Sequence, residues 1–211
     1  MASTRAGHIA RALTVLLGIA LLVVGIVLLL RPAPGFDVQG HRGARGLLPE
    51  NTMPAFTLAD DLGVTTLEMD TKVTKDGVLV VTHDSTLNPD LVRDAAGQWV
   101  NEGIPLNSLT LDDVQKLDVG RLRPGSAYGQ RFPEQQPIDG TRIPTLREVL
   151  DTFRDRSQVR FNIETKIEPD HPDHSPDPAD FSRKLVDELR SAGVDQRSTI
   201  QSFDWRTLKE V

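Results

Sequence analysis

The stretch TTLEMDTKV at residues 65–73 decides the fold of this 211-residue chain. Its β-branched and apolar side chains favour a strand. Glu68 and Asp70 lie two positions apart within it, so both side chains point to the same face of that strand. Such a pair is either solvated at a surface or turned inward, and the rest of the sequence favours the second.

The stretch VRFNIET at residues 159–165 predicts another strand with the same arrangement, because Glu164 and Lys166 lie two positions apart with Asn162 in phase. Three inward carboxylates repel one another and lose their hydration unless a cation lies among them. Oxygen ligands alone suit a hard ion, so the predicted cofactor is Ca²⁺ or Mg²⁺ rather than zinc. A surface strand with solvated acids is the alternative, and two strands with the same pattern count against it.

Strands and helices alternate outward from these two stretches. Further strands are predicted at residues 37–40, 78–82 and 199–203, and helices at residues 51–62, 111–117, 145–153, 179–192 and 204–211. The alternation predicts an α/β fold with a parallel sheet, which a doubly wound sheet and a TIM (β/α)8 barrel both satisfy. Acids and histidines follow the carboxyl ends of several strands, which favours the barrel.

Residues 85–142 interrupt this rhythm with a composition rich in Gly, Pro, Asn and Arg. An insertion of this length usually carries function or specificity. Only five strands are predicted, and the residues after position 35 number about 175 against the roughly 250 of a complete barrel. The expectation is therefore a barrel truncated after about five strands, with unpaired edges on the first and the fifth.

Residues 12–30 form a charge-free, largely apolar run that is about 28 Å long as a helix, close to the thickness of a hydrocarbon core. The following residues 31–34, RPAP, make a poor signal-peptidase site, so we predict an uncleaved transmembrane signal anchor rather than a cleaved signal peptide. Arg5 and Arg11 precede the run and Arg31 follows it. This margin of one arginine places the amino terminus in the cytoplasm and the rest on the periplasmic or extracytoplasmic side of the membrane.

The remaining chain is acidic. Residues 1–35 hold three arginines and no acid, which leaves 21 basic against 30 acidic residues and a net charge of −9 for the rest. Such a surface argues against nucleic acid as a partner. Cysteine is absent, which excludes disulfides and thiolate metal sites. The oligomeric state stays open.

Two histidines follow predicted strand ends, His41 in GHRG and His83 in THD. Histidine titrates near neutrality, so a pair flanking a substrate could act as general base and general acid. Arg42 could hold a phosphate with its fork of donors, and Lys166 could add a second positive charge. By contrast, His171 and His174 lie in a proline-rich loop and are predicted to face solvent.

Three ordered motifs resemble the glycerophosphodiester phosphodiesterase family: HRGARGLLPENTMPAF at 41–56, LEMDTKVTKDGVLVVTHD at 67–84 and NIETK at 162–166. The segment IPTL at 143–146, followed by Glu148, and QSFD at 201–204 are also similar to the family. The resemblance implies a TIM barrel of the phospholipase-C-like phosphodiesterase type, with residues 85–142 as the insertion after its third strand. Residues 1–35 would then be a stub, anchor and linker, and residues 36–211 an incomplete catalytic domain.

The resemblance also implies roles for the matching residues. A divalent cation would be ligated by Glu68, Asp70 and Glu164; the acid/base pair would be His41 and His83; substrate contacts would come from Arg42, Lys166 and Glu50. The implied reaction is hydrolysis of a small-molecule glycerophosphodiester to sn-glycerol 3-phosphate and an alcohol. One alternative is a lysophospholipase D or sphingomyelinase D-like activity on lipid phosphodiesters. The other is an inactive, truncated, membrane-anchored binding protein.

Overall fold

The computed structural model describes residues 36–211, together with Val15, Leu17 and Gly18 from the stretch before them. The predicted anchor at residues 12–30 therefore lies, apart from those three positions, outside the described residues. Among the residues that are described, no helix has both the length and the apolar character needed to cross a membrane.

Five strands form one sheet in the described region. In chain order they are β1 (Gln39–His41), β2 (Thr66–Val73), β3 (Leu79–Val81), β4 (Arg160–Thr165) and β5 (Ser198–Gln201). The order β1-β2-β4-β5 is parallel throughout, which confirms the predicted α/β fold with a parallel sheet.

The prediction of a parallel sheet is wrong for β3, which pairs with the end of β2 in antiparallel fashion. The turn between these strands is closed by a hydrogen bond from the Thr74 amide to the Val78 carbonyl at 2.9 Å, and Gly77 supplies the positive φ of 85° that the turn requires. A parallel connection needs a crossover of a dozen or more residues, so this short turn permits only a hairpin.

The strand β2 lies inside the sheet, and all eight of its residues are buried. Its register with the neighbouring strands positions the site, because Glu68 lies opposite both His41 and Asn162. Asp70 lies opposite Glu164 in the same register. Side chains that face each other across parallel strands share one face of the sheet, so the carboxylates converge as the period of two predicted.

Five α-helices accompany the strands in the described residues. They are α1 (Met53–Asp61), α2 (Leu111–Val114), α3 (Leu146–Phe153), α4 (Pro178–Ala192) and α5 (Trp205–Glu210). Thr52 caps α1 and Thr110 caps α2, each accepting a hydrogen bond from an amide in the first turn. The helix α2 is a single turn and ends three residues before the predicted boundary.

The main hydrophobic core contains side chains of β2 and β4, such as Met69 and Ile163, together with those of α3 and α4. A second cluster lies under the insertion at residues 85–142 and consists of Val80, Leu87, Leu106, Val114 and Ile143. The insertion therefore packs on β3 through its own small core, even though it holds little regular secondary structure.

Replacement of Phe161 by alanine is expected to lower the free energy of unfolding by about 3–5 kcal/mol, because this β4 side chain is 1% exposed and its loss leaves a cavity. Urea denaturation monitored by circular dichroism measures the change. The control is Phe36→Ala, since that phenylalanine is 94% exposed and its loss should change stability by about 0.5 kcal/mol or less. Equal effects of the two replacements would contradict the packing of β4.

Candidate active site

Three buried carboxylates meet on one face of the sheet, two from the middle of β2 and one from near the carboxyl end of β4. Glu68, Asp70 and Glu164 each offer an oxygen, and these oxygens all lie within 4.8 Å of one another. The Oδ1 atom of Asp70 is buried and accepts no hydrogen bond from the described residues. A buried carboxylate oxygen without a donor and an all-oxygen ligand set both fit a hard divalent cation such as Ca²⁺ or Mg²⁺.

The raised pKa of Glu68 also fits a cation-binding site. Burial raises the pKa of the Glu68 carboxyl to about 7, and the neighbouring Asp70 charge adds to this effect. Burial and the adjacent negative charge thus both disfavour the ionised form of Glu68. A divalent cation held by the three carboxylates would favour that form and compete with the proton.

This competition predicts that cation affinity depends on pH. Below a pKa of about 7 Glu68 binds a proton that the cation must displace, so apparent Mg²⁺ or Ca²⁺ affinity should fall about tenfold per pH unit, and it should level off above that pKa. Calorimetric titrations at pH 6 and pH 8, in buffers of different ionisation enthalpy, report affinity and proton release together. Glu68→Gln should remove the pH dependence, and an affinity that is the same at both pH values would contradict the prediction.

Arg42 follows β1 and reaches into the cluster. Its amide donates to Glu68 Oε2 at 2.8 Å, and its Nη1 donates to Glu50 Oε1 at 2.6 Å. Its Nε lies 3.1 Å from Asp70 Oδ2 but out of line for a hydrogen bond. The predicted substrate residues Arg42 and Glu50 are therefore brought to the carboxylates.

Backbone strain is concentrated next to Asp70. Among the described residues other than glycine, only Arg42 and Asn51 have a positive φ, of 57° and 55°. The Asn51 side chain donates to Asp70 Oδ2 at 3.0 Å. Such conformations are costly and persist where the surroundings enforce them, frequently at functional sites.

Lys166 approaches the cluster from the end of β4. It therefore lies on the other side of β2 from Arg42, which follows β1. Its Nζ lies 2.9 Å from Glu164 Oε1 and 3.4 Å from Asp70 Oδ1, without hydrogen-bond geometry to the latter. Two cationic side chains thus flank the carboxylates, which is an arrangement that suits a phosphate bound to a metal ion.

The two predicted acid/base residues lie in different environments. The His41 ring is 56% exposed, with Nε2 lying 3.8 Å from Glu68 Oε2. Burial of the rest of the ring, and then the charges of Arg45 and Arg42, lower the pKa of His41. His83 Nδ1 lies 2.6 Å from Asp84 Oδ1, a contact that fixes the orientation of the ring.

Asp84 is itself fixed, because Asn88 donates to its Oδ2 at 2.7 Å. Burial alone would raise the pKa of Asp84, but the hydrogen bonds from His83 and Asn88 outweigh it and lower that pKa. His83 and Asp84 line a small cavity with Glu50 and Asn51, and buried apolar side chains of the second cluster, such as Leu106, close it. His83 therefore faces the same space as residues that contact the carboxylates.

Tyr128 belongs to the site but was not predicted from the sequence. It lies in the insertion, and its hydroxyl donates to Glu50 Oε2. Burial raises the pKa of Tyr128 to about 12, with the Glu50 charge adding to the effect. It is the only tyrosine in the chain, but no spacing relates it to the motifs. Gln201, within the family-like QSFD segment, also contacts the site and donates to Glu164 Oε2 at 3.0 Å.

Lys72 is a further buried residue without a predicted role, although it continues the period of two from Glu68 and Asp70. Its Nζ donates to the Lys166 carbonyl at 2.9 Å and to the Ser85 hydroxyl. Burial lowers the pKa of Lys72 to about 8. The side chain therefore links the segments that carry His83 and Lys166.

The proline-rich loop departs in part from its prediction. His171 is exposed, as expected, whereas His174 is half-buried because its ring stacks on that of His171 with centroids 4.9 Å apart. The prediction that both rings face solvent is therefore wrong for His174.

Comparison with known proteins matches this geometry to one family. The model of the Glycerophosphoryl diester phosphodiesterase family matches residues 41–211. The chain is 33% identical over 178 residues to a glycerophosphodiester phosphodiesterase of Caldanaerobacter subterraneus subsp. tengcongensis, covering 82% of this chain and 60% of that protein. It is 34% identical over 127 residues to a lysophospholipase D of Mus musculus, covering 60% of this chain and 35% of that one.

A solved structure shares the fold. A Silicibacter pomeroyi protein assigned to the glycerophosphoryl diester phosphodiesterases superposes with a TM-score of 0.78 at 35% sequence identity. The superposition covers 85% of this chain and 62% of that one. The chain therefore spans less than two thirds of the length of each of these relatives.

Proposed function

The chain belongs to the glycerophosphoryl diester phosphodiesterase family, and on that premise we propose that it hydrolyses glycerophosphodiesters to sn-glycerol 3-phosphate and an alcohol. The observation that carries the proposal is the convergence of three buried carboxylates, Arg42 and Lys166 at one edge of the sheet. The four parallel strands are consistent with a TIM barrel, and we propose that fold for the catalytic domain.

In the proposed reaction the carboxylates of Glu68, Asp70 and Glu164 would hold Ca²⁺ or Mg²⁺, which when bound would offset negative charge on the phosphoryl oxygens. Arg42 and Lys166 bind and orient the same phosphate through charge-assisted hydrogen bonds. Tyr128 and Glu50 hold the Arg42 guanidinium in place, since both side chains contact its Nη1.

Each of the two histidines carries out one proton transfer. The 2-hydroxyl of the substrate attacks phosphorus, the bond to the leaving alcohol breaks, and a cyclic phosphodiester forms that water then opens. His41, whose lowered pKa favours the neutral ring, removes the proton from the attacking hydroxyl. His83, whose ring is oriented by its contact with Asp84, gives a proton to the leaving alkoxide.

Release of sn-glycerol 3-phosphate from sn-glycero-3-phosphocholine, followed with a coupled dehydrogenase, tests the proposal. Activity should be lost on chelation, return with added Ca²⁺ or Mg²⁺, and be lost in His41→Ala. The control is His171→Ala, because that histidine is exposed and lies outside the site. Activity that survives both chelation and His41→Ala would reject the mechanism.

A lysophospholipase D activity is the second candidate. The similarity to the mouse protein of that name favours it. Values of kcat/KM for sn-glycero-3-phosphocholine and lysophosphatidylcholine separate the two candidates.

We also propose that residues 12–30 anchor the chain, with the catalytic domain on the extracytoplasmic side of the membrane. The length and charge-free composition of the run support this. Protease accessibility of residues 36–211 in intact and permeabilised spheroplasts tests it. Protection of the domain in intact spheroplasts is expected if the orientation is the reverse.

A further inference from the structure

Two arginines and two aromatic side chains form a surface that we call the basic rim: Arg45 from the loop after β1, and Tyr128, Arg131 and Phe132 from the insertion. The Arg45 guanidinium carbon lies 4.9 Å from the Phe132 ring centroid, and that of Arg131 lies 5.3 Å from the Tyr128 centroid. The two aromatic rings are themselves 5.4 Å apart. Stacking of this kind holds guanidinium groups in place while their charge stays exposed.

The basic rim touches the candidate active site at two points. Arg45 Nη2 lies 2.9 Å from His41 Nδ1, and the Tyr128 hydroxyl donates to Glu50. The insertion is also fastened to the loop after β1, since the Gln135 side chain donates to the Arg45 carbonyl at 2.8 Å. Glu50 and Gln135 also line the cavity of His83, which acts on the leaving alcohol in the proposed reaction, so the rim is a fixed border of that side of the site as well.

The charge of the rim is not neutralised by the protein. Most described arginines pair with carboxylates, as Arg121 does with Asp139. Within residues 36–211, by contrast, neither Arg45 nor Arg131 lies in an ion pair with a carboxylate. Two uncompensated cations beside the active site stand out in a region whose net charge is −9, and they favour binding of an anion.

We propose that the basic rim binds a second anionic group of the substrate, a phosphate or carboxylate located in the leaving alcohol. The inference rests on the proposed function. The scissile phosphate is bound by Arg42 and Lys166, and the glycerol half of the substrate is uncharged, so a further anion can only belong to the alcohol. A cationic alcohol such as choline is disfavoured, because Arg45 and Arg131 already lie over the aromatic faces that would bind it.

The test compares three substrates with the same glycerophosphate half, hydrolysed by the 211-residue chain. Their leaving alcohols are choline (cationic), glycerol (uncharged) and glycerol phosphate (anionic). The wild type should have the highest kcat/KM for the anionic alcohol and the lowest for choline. Each rim arginine should contribute about twofold to fivefold, as expected for a partly exposed arginine–phosphate contact, and the preference should decline in high salt.

Arg131→Gln and Arg45→Gln should each raise KM for the anionic substrate by that factor, and Arg131→Gln should leave hydrolysis of the uncharged substrate unchanged. The control is Arg183→Gln, which removes an exposed arginine on α4 that pairs with Asp180. Hydrolysis of the uncharged substrate without preference for the anionic one would overturn the inference and leave the proposed function intact. No hydrolysis of any of the three would overturn both.

Discussion

Replacement of Asp70 by asparagine is expected to weaken Ca²⁺ or Mg²⁺ binding at least about 100-fold and to lower kcat/KM by on the order of 10²–10³-fold. Asp70 should have this large effect because it contacts Asn51, Arg42 and Lys166. Its Oδ1 is the buried oxygen without a hydrogen-bond donor, and its Oδ2 accepts from Asn51. Asparagine keeps the shape of the side chain but removes one of the three negative charges of the cluster.

Isothermal titration with each cation and the coupled assay measure the two effects. The control is Asp60→Asn, which also neutralises a carboxylate of low exposure but one that pairs with Arg156 on the surface of α1. Both variants should keep the circular dichroism spectrum of the wild type. Cation affinity in Asp70→Asn equal to that of the wild type would contradict the assignment of this cluster as the metal site.

The carboxylate cluster could be predicted because a strand alternates its faces. Glu68 and Asp70 are two positions apart and so share one face of the strand. Because the whole of β2 is buried, that face points into the protein. The partner residue Glu164 required the register of β2 with β4, which periodicity does not provide. The spacing of Glu164 and Lys166 suggested a third inward carboxylate, and the family resemblance assigned it to the same cation as the other two.

Contacts made by the insertion could not be predicted in the same way. Tyr128 meets Glu50 across 78 positions of sequence, through a segment that has almost no regular structure. Its position depends on the second hydrophobic cluster, in which Val80 and Ile143 fix the ends of the segment. The hairpin of β2 and β3 was missed for a different reason, because alternation of elements predicts crossovers even where the connecting turn is too short for one.

The position of Lys72 could be predicted only in part. Its phase with Glu68 and Asp70 was visible in the sequence, but a lysine at that position reads equally well as an exposed cation. Only the burial of β2 and the acceptors at Ser85 and Lys166 distinguish the two readings. The period of a strand thus gives the direction of a side chain, and its chemistry depends on what covers that face.

The second large effect is expected at His83. His83→Ala should lower kcat/KM for sn-glycero-3-phosphocholine by about 10²–10⁴-fold, the usual contribution of a general acid. With sn-glycero-3-phospho-p-nitrophenol the loss should be much smaller, because p-nitrophenolate leaves without being protonated. The comparison isolates proton donation to the leaving group from any effect of His83 on binding.

His41→Ala is the matched variant, since a general base acts on the attacking hydroxyl and not on the leaving group. Its loss should be about 10²–10⁴-fold on both substrates. The opposite pattern, in which p-nitrophenyl hydrolysis is spared in His41→Ala and not in His83→Ala, would exchange the two roles. Equal losses on both substrates for both variants would contradict a general acid among them. The environment of His41 argues for the stated order, because burial and then the charges of Arg45 and Arg42 lower its pKa and favour the neutral ring that a base needs.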